Sequence, residues 1–144
     1  MTAIACRDGI MAADSGGWTA DSHVITPVSP KIRVTEHGLV ACAGETDEIE
    51  DFHTWFLAGM PAYAKPEKGG GIGALWLRHD GTIWFAGARL RFVQCAGPFW
   101  AIGASERFLW GALHAGATAE QAVRLAIQHT DGAAGDVQVE RLEA

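Results

Sequence analysis

The sequence predicts an α+β fold in which antiparallel sheets are covered by helices, and three observations carry that prediction. Short apolar runs flank Arg7-Asp8-Gly9 at the start, and Asp-Gly between such runs marks a two-residue hairpin because both central positions tolerate positive φ. From Thr46 the spacing of apolar residues changes to a helical period. The end, Val137 to Leu142, alternates as a strand again. Hairpins around one helix, followed by more hairpins and two helices, argue against a parallel doubly wound sheet.

The elements follow in order. Thr2 to Cys6 and Ile10 to Ala13 form the opening hairpin, and Ser15-Gly16-Gly17 is a polar break. Lys31 to Val34 alternates, and Leu39 to Ala43 is a second strand after the turn closed by Gly38. Ile49, Phe52, His53, Phe56 and Leu57 fall on one helical face behind an acidic first turn, which predicts a helix over Asp47 to Ala58.

Met60 to Gly71, with its prolines and the run Gly69-Gly70-Gly71, reads as a surface connection. Strands are expected at Ile72 to Leu77, Thr82 to Ala86, Arg91 to Cys95 and Phe99 to Ile102. A second helix is predicted over Ser105 to His114 with Gly116 at its C-terminal cap. Thr118-x-x-Gln121 is a capping box opening a third, Ala119 to Gln128.

At 144 residues the chain fits one domain, residues 1–144, and 49% apolar content with six tryptophans is enough to close a core. The net charge of −6, without a basic stripe, argues against a nucleic-acid partner. Cys6, Cys42 and Cys95 are odd in number and lack a C-x-x-C pair, as expected of buried thiols in a reducing compartment. No signal peptide and no bilayer-spanning run is visible, so the sequence predicts a cytoplasmic protein that does not enter a membrane.

The glycine run lacks the Lys-Ser/Thr of a phosphate-binding loop, and the six histidines show no paired ligand spacing, so neither a cofactor nor a metal is expected. The tryptophans are dispersed, which favours packing or subunit contact over a stacking platform for bases.

The chemistry is read from four positions near strand ends. Removal of Met1 would leave Thr2 with a hydroxyl and a free α-amine on one residue, a nucleophile with its own base, since an α-amine titrates at roughly 7.7 to 8.0. Lys31 stands apart from Lys65 and Lys68 in the connection. It reads either as a cation that favours a deprotonated neighbour or as a solvated strand lysine. Asp14, at the end of its apolar run, either orients Lys31 or is a turn aspartate. Gly44 ends a strand before a helix, where its N–H either faces a developing oxyanion or simply turns the chain.

Together Thr2-Ala3-Ile4-Ala5, Ala12-Ala13-Asp14-Ser15, Pro30-Lys31-Ile32, Ala43-Gly44 and Ala101-Ile102-Gly103 resemble successive motifs of proteasome β-subunits and HslV, over nearly the whole chain. The resemblance implies an N-terminal nucleophile (Ntn) hydrolase with a four-layer αββα sandwich, two mainly antiparallel sheets between helix layers. It further implies threonine peptidase activity on polypeptides, assembly into a homo-oligomeric ring and an ATP-dependent unfoldase as a candidate partner.

By the same resemblance Thr2 matches the nucleophile, Lys31 the catalytic lysine, Asp14 its carboxylate partner and Gly44 the oxyanion-hole glycine. The compact length is similar to that of short HslV-like proteins of phages and prophages. The chain departs from the family in three places. Gly103-Ala104-Ser105 stands where Gly-Ser-Gly is common, so the supporting hydroxyl is missing at 104. Asp131-Gly132-Ala133-Ala134-Gly135 resembles an Asp-x-x-Ser-Gly motif with Ala134 in place of serine, leaving Asp131 either as a supporting residue or as a helix-ending turn. The Met60 to Gly71 region is shorter than the corresponding family helices. These losses leave a second expectation open, a catalytically silent ring or scaffold protein serving phage assembly.

Overall fold

The computed structural model describes residues 2–19, 23–25, 30–62, 65–66 and 73–143. Met1, the glycine run 69–71 and Ile72 lie outside the described residues. Strand β1 (Ala3–Arg7) turns into β2 (Ile10–Asp14) through Asp8 and Gly9, at φ 53° and 74°. Both central positions are left-handed, as a tight hairpin matched to strand twist requires. A second, very short antiparallel pair, β3 (Gly17–Trp18) with β4 (Val24–Ile25), begins at the last residue of the Ser15-Gly16-Gly17 break and continues beyond it, where no strand was expected from sequence. Two residues are too few to show a period of two, so pattern could not find it.

The chain continues as β5 (Ile32–Thr35), β6 (Gly38–Ala43), helix α1 (Thr46–Leu57), β7 (Gly73–Leu77), β8 (Ile83–Ala86), β9 (Phe92–Gln94) and β10 (Phe99–Gly103). Helices α2 (Glu106–His114) and α3 (Ala119–His129) precede the last strand, β11 (Val137–Arg141). One sheet runs β10-β1-β2-β11 and another β5-β6-β7-β8-β9, and every pairing is antiparallel. The α+β expectation agrees with this arrangement.

Alternation along the first hairpin decides what each face meets. Ala3, Ala5 and Ala12 point to α2 and α3, packing with Leu109, Leu113, Val123 and Ala126. Their small side chains let helices lie close to the sheet. The intervening Ile4, Cys6, Met11 and Ala13 point to the other sheet and meet Ile32, Leu39, Leu75 and Leu77. On that sheet's far face Val40, Cys42, Ala74 and Ala86 receive Phe52, Trp55 and Phe56 of α1. Phe52 and Phe56 are essentially sealed from water, and truncating either to Ala would cost about 3–5 kcal/mol.

The helix ends follow from their caps. At α3 the Thr118 hydroxyl accepts the Gln121 N–H at 3.1 Å while Gln121 accepts the Thr118 N–H at 2.9 Å, the reciprocal box the sequence predicts. Helix α1 begins one residue earlier than expected because Glu45 and Glu48 form the same kind of box. The end of α2 and the turn after it are met by Arg7, whose Nη1 donates to Leu113 O of the helix at 2.7 Å and to Ala117 O beyond it at 3.2 Å. Gly116, at φ 103°, follows that helix as expected. Cys6 and Cys42 are buried and Cys95 half-buried, all three as free thiols. Burial pushes the Cys6 and Cys42 thiols up to about 12. Among the described residues no helix is long and apolar enough to cross a membrane.

Candidate functional site

Asp14 ends β2 with no exposed surface, a position where a carboxylate must find donors. It has three. Oδ1 accepts the Ala3 N–H at 2.9 Å and the Lys31 ammonium at 2.8 Å, and Oδ2 accepts the Ala134 N–H at 3.0 Å. Lys31 sits just before β5, its side chain 11% exposed, and its Nζ also donates to Thr2 Oγ1 at 3.2 Å. Burial pulls the Lys31 pKa below the ordinary lysine value, and the adjacent Asp14 charge and hydrogen bond oppose that shift. The result is a carboxylate, an ammonium and a hydroxyl in one chain of hydrogen bonds.

Thr2 is itself buried, at 3% exposure, directly before β1. Pairing of Ala3 with Gly103 draws β10 tightly against it. Gly103 has φ 108°, and a Cβ there would collide with the Thr2 carbonyl oxygen, so glycine is required for the approach. Gly44 breaks the chain between β6 and α1 at φ 152°. It lies with Thr2 and Lys31 on the wall of a cavity of about 480 Å³. An ammonium held against a hydroxyl favours the alkoxide, and a concave wall beside it can hold a chain segment.

Thr2, Asp14, Lys31 and Gly44 are therefore brought together. Asp131 is not: it is an exposed residue of the turn after α3 and is not among the residues lining that cavity. The turn contributes backbone instead, through the Ala134 N–H. Ser105 turns its buried hydroxyl to Thr130, 2.8 Å away, and the Thr130 hydroxyl donates to Ala126 O at 2.8 Å. The Ser105 hydroxyl is thus engaged with Thr130 and does not line the cavity.

Sequence reasoning missed the rest of the cavity wall. Trp18, Arg33, Glu45, Asp47, Ile49 and Glu50 line it. Arg33 stands two residues beyond Lys31 on a strand, and Glu50 four beyond Thr46 on a helix, so the periodicities themselves carried a signal. Arg33 Nη2 meets Glu50 Oε1 at 2.5 Å, joining β5 to α1. Among the described residues no group of His, Cys, Asp and Glu side chains could hold a metal ion.

This arrangement of sheets and helices is a proteasome-like fold, as comparison with solved structures establishes. The structure of Thiobacillus denitrificans BPH in complex with epoxomicin superimposes with a TM-score of 0.71 at 16% identity, covering 99% of each chain. A second structure of Thiobacillus denitrificans BPH gives a TM-score of 0.67 at 17% identity, covering 99% of this chain and 98% of that one. No protein-family model and no curated protein matches the sequence.

Proposed function

We propose that the chain is a threonine-type endopeptidase, an Ntn hydrolase with the four-layer αββα sandwich, whose nucleophile is Thr2 exposed by removal of Met1. The observation that carries this reading is the contact of Lys31 Nζ with Thr2 Oγ1 at 3.2 Å and Asp14 Oδ1 at 2.8 Å. Thr2 Oγ attacks a peptide carbonyl while the α-amine of the same residue takes the hydroxyl proton and returns it to the leaving amine. Lys31 lowers the cost of the alkoxide, Asp14 holds Lys31, and the Gly44 N–H receives the charge developing on the carbonyl oxygen. Water then hydrolyses the acyl-enzyme. Asp131 would act only through its turn.

The resemblance to proteasome β-subunits and HslV supports a homo-oligomeric ring that encloses these sites, fed by an ATP-dependent unfoldase in the cytoplasm, and a phage-type compact member of that group. A second reading, a silent ring or scaffold protein, is favoured by one observation: Ala104 and Ala134 carry no hydroxyl, and Ser105 is bonded to Thr130 instead.

The two separate on labelling. Protein from its native host is weighed intact, incubated with a covalent threonine-directed inhibitor, and assayed on fluorogenic peptides; epoxomicin, bound in the Thiobacillus denitrificans complex, is the first compound to include. The enzyme reading expects loss of Met1, one label on Thr2, and no turnover by Thr2→Ala or Lys31→Ala in an intact assembly. Retained turnover in purified Thr2→Ala rejects it, and an assembled, unlabelled protein that keeps Met1 supports the scaffold.

A further inference from the structure

We infer that the cavity beside Thr2 selects a cationic side chain on the residue preceding the cut, and that Glu50 is the residue that meets it. The inference rests on the peptidase reading for the word "cut", but its physical basis is the charge of the wall. Of the two cations there, Lys31 is committed to Asp14 at 2.8 Å. Arg33 is committed in three directions: Nε donates to Pro30 O at 3.1 Å, and Nη1 and Nη2 donate to Glu50 at 3.4 and 2.5 Å. Among the described residues Glu50 has only that one partner, and it keeps 48% of its side chain open, against 24% for Arg33.

Two further carboxylates on the same wall, Glu45 and Asp47, have no basic partner within 4 Å among the described residues. They bond only to the backbone at the start of α1, where Glu45 and Asp47 both accept the Glu48 N–H. The positive end of the α1 dipole offsets part of their charge, since it amounts to about half a unit. An excess of negative charge remains. A guanidinium or ammonium entering the cavity gains Glu50 without displacing Arg33, because a carboxylate accepts more than two hydrogen bonds. An entering carboxylate would find three of the five Arg33 N–H groups already donating, two of them to Glu50, and would face three like charges. An apolar side chain has Ile49 and Trp18 to pack on, and so stands between the two.

The test has two arms. In the first, wild-type protein is given three fluorogenic peptides identical except for Arg, Leu or Glu before the scissile bond, and kcat/KM is compared. In the second, fluorescent peptide amides with the same three residues are titrated into full-length Thr2→Ala and binding is followed by polarisation. In both arms the Arg peptide is expected to exceed Leu by about tenfold, which converts to ~1.4 kcal/mol, with Glu lowest.

Glu50→Gln should bring the Arg-to-Leu ratio towards one, and Arg33→Gln should preserve or raise it. A Leu or Glu preference, or a ratio indifferent to Glu50→Gln, overturns the inference while leaving the peptidase reading intact. Tight, Glu50-dependent binding of the Arg peptide with no turnover by wild type overturns the peptidase reading and upholds the charge preference of the cavity.

Discussion

The backbone N–H of Ala134 donates to Asp14 Oδ2 at 3.0 Å, joining residues 120 positions apart in the chain. Around this bond the α3–β11 turn is clasped to the end of β2. Gly16 N–H reaches Ala134 O at 2.9 Å and Asp136 N–H reaches Ser15 Oγ at 2.8 Å. Gly16 is as close as the fold permits, since a Cβ there would come within 2.7 Å of the Ala134 Cβ. The clasp holds one carboxylate oxygen of Asp14 while Lys31 takes the other, so the turn before the last strand helps fix the end of β2.

Asp14→Asn tests how much this arrangement depends on charge. Three donors converge on the carboxylate, and an asparagine offers them one oxygen while its NH2 faces a donor. Lys31, largely buried, would also lose its anion. Breaking such a pair by removing one partner costs about 3–5 kcal/mol, and that loss of unfolding free energy is expected in urea titrations. Adding Lys31→Met to Asp14→Asn should recover at least about 1 kcal/mol, because the orphaned ammonium is then gone. An Asp14→Asn protein as stable as wild type would mean that the contact between Asp14 and Lys31 adds nothing to the stability of the fold.

Gly103→Ala and Gly116→Ala separate backbone strain from close approach. The two glycines share nearly the same conformation, φ 108° and 103°, but a Cβ at 116 meets nothing within 4 Å while one at 103 runs into Thr2 O. Gly116→Ala should therefore cost only the conformational penalty of about 1 kcal/mol. Gly103→Ala should cost about 2 kcal/mol more, because the Cβ must push Thr2 O aside, and on the peptidase reading it should abolish inhibitor labelling by displacing Thr2 from Lys31. Equal destabilisation in thermal or urea unfolding would show that β10 does not need to approach Thr2 so closely.

What the sequence made legible follows from how local each signal is. Asp8-Gly9, Thr118 with Gln121, and the apolar face of α1 announce themselves within a few residues, and the structure places elements there with ends shifted by a residue or so. Asp14 and Lys31 were legible as charged residues at strand ends, 17 positions apart, a spacing that their 2.8 Å contact closes. The Ala134 bond was not, because a backbone N–H carries no residue identity and the sequence pointed instead to Asp131 in the same turn. Arg33 and Glu50 were hidden for another reason: each belongs to an amphipathic pattern that a solvent-facing charge explains equally well, and only the sheet-to-helix crossing makes them partners.

His53 supplies a pH dependence of stability. It lies on α1 at 2% exposure, edge-on to Phe52 at 5.3 Å, and neither ring nitrogen has a hydrogen-bond partner among the described residues. Burial lowers its pKa from 6.5 to about 4, with repulsion from Arg33 adding to the shift and Glu50 opposing it. The fold thus holds the ring neutral at pH values where the unfolded chain has already taken up a proton. Because the unfolded state binds more protons in that window, the stability contributed by this group is intact above the unfolded pKa and is lost as pH falls from about 6.5 towards 4. The loss should amount to about 2–3 kcal/mol between pH 7 and pH 4.5, measured by urea unfolding at each pH. His53→Phe keeps the aromatic volume and removes both orphaned nitrogens, so its stability should fall less steeply over the same range. Parallel slopes for the two proteins would show that the ring is already protonated, or already bonded, inside the native fold.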